Sequence, residues 1–140
     1  MNIIIHRGTH QIGGSAIEIS TASTRIILDF GNELSLDEKY IPINLDIDGV
    51  TKGMPDCDGI VISHYHIDHL GQLTSALPEI PLYMGKLSKE VAMIATEHQD
   101  KDLYLRLLGA NTFRGGEAFT IGNIHIRPCL LYTSPSPRDA

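Results

Sequence analysis

Four side chains able to ligate a metal ion fall within six residues, in the order His64-Tyr65-His66-Ile67-Asp68-His69. At this chain's own histidine and aspartate frequencies, the pattern His-x-His-x-Asp-His would arise by chance in roughly one chain of this length in a thousand. On an extended strand end, residues two apart project to the same side, so His64 and His66 can converge their imidazoles on one ion. If the chain then bends into a helix start, Asp68 and His69 turn to a neighbouring position that can hold a second. Imidazole nitrogens with a carboxylate oxygen are a ligand set for zinc, with manganese or iron as further possibilities. Two ions about 3.5 to 4 Å apart would share a bridging hydroxide, clamp a phosphoryl or carbonyl oxygen and stabilise the leaving group. Asp68 would then combine a ligand role with a catalytic, proton-handling one. Upstream, Asp29 closes the apolar run Ile27-Leu28 beside Phe30-Gly31. From there it is a candidate to accept the free N–H of a ligand histidine and fix its tautomer.

The elements that must position these groups are legible as short periodic runs. Residues 2–7, 15–20 and 24–30 are isoleucine-rich and separated by turn-forming stretches, which predicts an antiparallel meander of three strands. Residues 32–58 show no sustained period and read as a long loop, a feature more often functional than idle. Residues 59–63, Gly-Ile-Val-Ile-Ser, predict a short buried strand leading directly into the histidine cluster. A helix is expected over 69–77, stopped by Pro78, then a strand over 81–84 and a helix over 86–99. In that last helix Leu87, Val91, Ile94 and Ala95 form the expected apolar stripe. His98 continues the stripe and reads as packing. A further helix spans 100–108 with Gly109 as its cap, and strands are expected over 118–121 and 124–128. A meander followed by alternating strands and helices indicates an α/β sandwich architecture.

Composition narrows the class. The 140 residues carry a formal charge of −6, 42% hydrophobic and 20% charged residues, and two cysteines. That is a globular composition, not a disordered or disulfide-stapled one, and Cys57 and Cys129 cannot build a four-thiolate zinc site. No stretch approaches the roughly 18 apolar residues of a membrane span. No basic leader or cleavage site precedes residue 6, which places the chain in the cytoplasm with its thiols reduced. The acidic balance gives no support to a basic nucleic-acid face. Lys86, Lys89 and Lys101 are its only hint, and on helices they read as a solvated face.

The cluster after Gly59-Ile60-Val61-Ile62-Ser63, together with Ile27-Leu28-Asp29-Phe30-Gly31, resembles the signature of the metallo-β-lactamase fold hydrolases. Gly8-Thr9-His10-Gln11-Ile12-Gly13-Gly14-Ser15 and Gly85-Lys86-Leu87-Ser88-Lys89-Glu90 are similar to the ribonuclease J and β-CASP branch. The resemblance covers about residues 2–128 and implies the N-terminal half of a four-layer αββα sandwich. It implies His64 and His66 on a first metal, Asp68 and His69 on a second, and Asp29 supporting them from behind. The implied activity is metal-dependent hydrolysis by a dinuclear zinc site and bridging hydroxide, on a phosphodiester such as RNA. Thioester, lactone or amide substrates are the alternative. That family's later ligands, a third histidine, a bridging aspartate and a last histidine, have no clear match here, so the chain alone is expected to be an inactive fragment. Residues 129–139, Cys-Leu-Leu-Tyr-Thr-Ser-Pro-Ser-Pro-Arg-Asp, read as a translated sequencing-library adapter, so 1–128 is taken as the native partial domain and 129–140 as non-native.

Overall fold

A computed structural model describes residues 1–35, 37, 39 and 44–129. Six strands form one sheet in sequence order: β1 (Asn2–Arg7), β2 (Ala16–Ser20), β3 (Arg25–Leu28), β4 (Gly59–Ile62), β5 (Leu82–Gly85) and β6 (Asn111–Phe113). The first three pair antiparallel, as tight connections require, and β3 to β6 run parallel. Parallel neighbours need crossovers. That after β4 carries α1 (Ile67–Leu70) and a 3-10 turn (Leu73–Ser75); that after β5 carries α2 (Lys86–Thr96) and α3 (Lys101–Leu108).

Side chains alternate between the two faces of the sheet, and both faces of its centre are covered. Ile27, Ile60, Ile62, Leu82 and Met84 join the main core, to which the helical segments contribute Leu70, Leu73, Ala92, Leu103 and Leu107. On the other face Ile26 and Val61 meet a hairpin of β7 (Phe119–Ile121) and β8 (Ile124–Ile126), which buries Ile121. Phe119 of that hairpin stacks on Tyr83 and Phe113 at ring separations of 5.7 and 5.1 Å. Burial on both faces explains why residues 26–28 of β3 and 60–62 of β4 are unbroken apolar runs and not alternating ones. The mixed α/β architecture expected from the sequence is therefore the one observed, as a helical layer, a central sheet and a two-stranded second sheet.

Several local expectations need correction. The helix expected over 69–77 starts earlier, at Ile67, and breaks after Leu70 into the 3-10 turn. In α2 the buried positions are Ala92 and Thr96, whereas Leu87 and Ile94 of the expected stripe are 72% and 77% exposed. The small residues face the core because α2 lies close to α3 and β5, and the Thr96 hydroxyl is satisfied by the Ala92 carbonyl at 2.8 Å. His98 does not pack: it lies beyond the helix, its side chain open to solvent beside Glu97. Strand β6 has too few apolar residues to announce itself, with only Phe113 half-buried, and pairs because β5 offers an edge. Of the long loop, residues 36, 38 and 40–43 lie outside the described residues. Its described remainder contributes isolated bridges and no strand. Residues 130–140 also lie outside them, and Cys129 is exposed.

Candidate metal centre

Strands β3 and β4 end side by side, with Leu28 opposite Val61, and the site is built where they stop. Asp29 has φ +60°, left-handed backbone that costs a non-glycine residue about 1–2 kcal/mol and that aspartate tolerates better than most. The turn aims its carboxylate across the end of β4. Asp29 Oδ1 accepts the Ser63 N–H at 2.7 Å, and Oδ2 lies 2.8 Å from Ser63 Oγ and 2.7 Å from His69 Nδ1.

The residues after Asp29 form a frame for the histidine loop. Phe30 N–H donates to the His69 carbonyl at 2.8 Å, Asn32 N–H to that of Ile67 at 3.0 Å, and Gln72 N–H back to that of Phe30 at 2.9 Å. Gly31 allows this approach, since a Cβ there would overlap the Asp68 carbonyl oxygen. From the other side Gly14 N–H reaches the same oxygen at 3.1 Å, and a Cβ on Gly13 would meet Asp68 Cβ at 2.7 Å. Arg7 ties both glycine segments together, donating to the carbonyls of Gly14 at 3.0 Å and Gly31 at 2.7 Å.

Within this frame His64, Asp68 and His69 offer ligand atoms that all lie within 4.8 Å of one another. The His64 and His69 rings are 4.0 Å apart, and His69 Nε2 lies 3.3 Å from Asp68 Oδ2. His66 is exposed and joins through a 3.1 Å contact between its Nδ1 and His64 Nε2. His64 thus touches His66 and also sits in the close group with Asp68 and His69, because the early start of α1 turns Asp68 and His69 back towards it. Burial, followed by neighbouring His69 and His66, holds the His64 pKa below its ordinary value against the opposing pull of Asp29 and Asp68. The neutral imidazole is the form that binds a cation. With Nδ1 of His69 engaged by Asp29, its Nε2 is left facing Asp68, so the donor set and its orientation suit a divalent ion of the zinc type.

Ser63, Gly13, Gly31 and Arg7 were not among the candidate site residues. The signal for Ser63 was its place directly before the first histidine; for the glycines it was their number around Asp29 and His10. Beside the loop, at the carboxyl ends of β4 to β6, lies a cavity of about 740 Å³ whose lining includes Ser63, Lys86, Ser88, Glu90, Phe113 and Arg114. Such crevices are where open parallel sheets bind ligands. Lys86 reaches it, but Lys89 does not form a charged face: its ammonium caps the end of α3 through the Leu108 and Ala110 carbonyls at 2.9 and 2.8 Å.

A mixed sheet that ends one parallel strand in a His-x-His-x-Asp-His loop, braced by an aspartate from the adjacent strand, is a candidate metal site of the metallo-β-lactamase type. The chain's homologues are ribonuclease J-like proteins of the β-CASP metallo-β-lactamase family. It is 37% identical over 110 residues to RNase aCSPSF2 of Saccharolobus solfataricus, a stretch covering 74% of this chain and 19% of that protein. It is 32% identical over 97 residues to the probable RNase MJ4 of Methanocaldococcus jannaschii, covering 67% of this chain and 21% of that one. The chain therefore spans about a fifth of the length of these relatives. A solved structure of a protein of unknown function from Enterococcus faecalis shares the fold with a TM-score of 0.68 at 20% identity, covering 88% of this chain and 36% of that one. No protein-family model matches the chain.

Proposed function

We propose that this chain forms part of a metal-dependent hydrolase that cleaves phosphodiester bonds in RNA. The observation that carries the reading is the convergence of His64, Asp68 and His69 within 4.8 Å, braced by Asp29. The RNase names of the relatives support the substrate class. His64 and His66 would hold one ion, Asp68 and His69 a second, with zinc favoured by the nitrogen-rich donor set and manganese as the alternative. When bound, the ions would supply Lewis acidity towards a phosphoryl oxygen and activate water. The protein's own contribution is to fix imidazole tautomers, hold Asp68 by its backbone between two glycine segments, and leave Asp68 beside the reacting centre for proton handling.

The cavity beside the loop suits a polyanionic strand. Lys86 and Arg114 line it, and among the described residues neither has a hydrogen-bonded or ion-paired side-chain partner. Lys86→Ala and Arg114→Ala are expected to weaken RNA binding and each to lower its salt dependence by about one counterion. Among the described residues no helix is long and apolar enough to cross a membrane.

Four candidate ligands are too few to hold two ions fully, so turnover is expected of a longer protein carrying this chain and not of the 140 residues alone. Such a protein, supplied with zinc or manganese, is expected to degrade single-stranded RNA. His64→Ala or His66→Ala should abolish that activity, and Asp68→Ala should reduce metal content. Hydrolysis of thioesters, lactones or amides with RNA left intact would overturn the nuclease reading in favour of an acyl hydrolase.

A further inference from the structure

Asp29 serves more than one histidine. Its Oδ2 contacts His69 Nδ1 directly at 2.7 Å, and the same oxygen lies 2.8 Å from Ser63 Oγ. Ser63 Oγ in turn lies 2.9 Å from His64 Nδ1. Proton counting fixes the direction of this chain. A carboxylate only accepts, and a serine hydroxyl has a single proton to give. That proton goes to Asp29, where the hydrogen bond is charge-assisted. Ser63 Oγ must then accept from His64, which requires the proton of that imidazole to sit on Nδ1. His64 Nε2 is left without a proton, its lone pair facing His66 Nδ1 3.1 Å away.

We propose that Ser63 is a positioning residue that relays the Asp29 carboxylate to His64, so that one aspartate sets the metal-facing nitrogen of two histidines at once. His69 is set directly and His64 through the hydroxyl. The backbone hydrogen bond from Ser63 N–H to Asp29 Oδ1 at 2.7 Å does not depend on the side chain. Loss of the hydroxyl should therefore release His64 without undoing the turn. This inference deepens the metal-centre reading and rests on it only for its consequence in metal affinity.

The test uses the full 140-residue chain with Ile3→Lys and Ile5→Lys introduced on the exposed face of β1 to keep it in solution, labelled with 15N-histidine and free of metal, at a pH well above the imidazole range. Two-bond ring correlations report each tautomer, and His64→Gln assigns the His64 signals. His64 is expected almost entirely as the Nδ1–H form. Ser63→Ala should give mixed tautomers and Ser63→Thr should restore the single one, with thermal unfolding unchanged in both. In zinc titrations against a chromophoric chelator, Ser63→Ala should lose about tenfold to a hundredfold in affinity, and Ser63→Thr should recover it. An Nε2–H tautomer at His64, a tautomer indifferent to Ser63→Ala, or a released tautomer with undiminished zinc affinity would each overturn the relay. A locked tautomer released by Ser63→Ala in a chain that binds no zinc would sink the metal-centre reading and leave the relay standing.

Discussion

Asp29 illustrates how much one side chain does here. It occupies strained backbone at φ +60°, and from that turn its carboxylate reaches from the end of β3 onto Ser63 and His69. Asp29→Ala should reduce zinc affinity by about tenfold to a hundredfold, read by chelator competition, since His69 loses its outward partner and Ser63 the carboxylate that orients its hydroxyl. Cys57 is a contrasting residue. Burial pushes its thiol up to about 11 from an ordinary 9.0, and the thiol is close enough to donate weakly to the Gly59 carbonyl at 3.4 Å. Because the folded state holds this proton more tightly than the unfolded one, the associated stability is complete below pH 9 and is lost as pH rises towards about 11. In denaturation measured across that range, Cys57→Ala should abolish this part of the decline. At pH 8, alkylation of the folded chain should modify exposed Cys129 well before Cys57.

At the scale of elements, the site depends on close contact between the segment after β3 and helix α1. Gly31→Ala would drive a methyl group into the Asp68 carbonyl, so either the loop after β4 or the β3 turn has to move. The expected result is loss of zinc binding together with a marked fall in thermal stability, although residue 31 is itself no ligand. A second element-level device crosses from β2 to the start of β3, where Glu18 of β2 is 5% exposed. It pairs with Arg25 at 2.8 Å and His6 at 3.0 Å. Burial alone would raise the Glu18 carboxyl, but the hydrogen bonds and charges of Arg25 and His6 outweigh it and hold the pKa below the ordinary 4.5. The sign follows: this contribution is present above pH 4.5 and fades as pH falls below it. Glu18→Ala leaves Arg25 without its carboxylate and is expected to cost about 3 kcal/mol or more in urea unfolding.

For the molecule as a whole, the two faces of the sheet are unevenly protected. Helices α1 to α3 cover one face, while the hairpin β7–β8 covers only the β3 to β6 side of the other. Edge strand β1 presents Ile3, Ile4 and Ile5 at 64%, 47% and 54% exposure. Ile3 and Ile5 share the hairpin's face of the sheet with half-buried Ile19 and Ile17, their cross-strand partners. An apolar edge strand of this kind invites pairing with another copy. The 140-residue chain is therefore expected to express poorly and scatter light at micromolar concentration. Ile3→Lys with Ile5→Lys should reduce the scattering without altering zinc affinity, because it is Arg7, at the far end of β1, and neither isoleucine, that reaches the frame of the site.

The sequence by itself determined the chemistry and most of the topology. Ligand types at two- and one-residue spacing made His64, His66, Asp68 and His69 candidates, and isoleucine runs between glycine-rich turns gave β1 to β4, because both signals are local. Apolar spacing in α2 misled, since which side of a helix is buried depends on what it packs against, and small Ala92 and Thr96 fit the space that Leu87 and Ile94 do not. Only the tertiary structure decided that His64 joins Asp68 and His69 more closely than His66 does. It also decided that Asp29 meets His69 directly and Ser63 beside His64, and that Gly13 and Gly31 are spaces for Asp68. Those facts belong to residues tens of positions apart, and the meeting of two strand ends, not any local preference, brings them together.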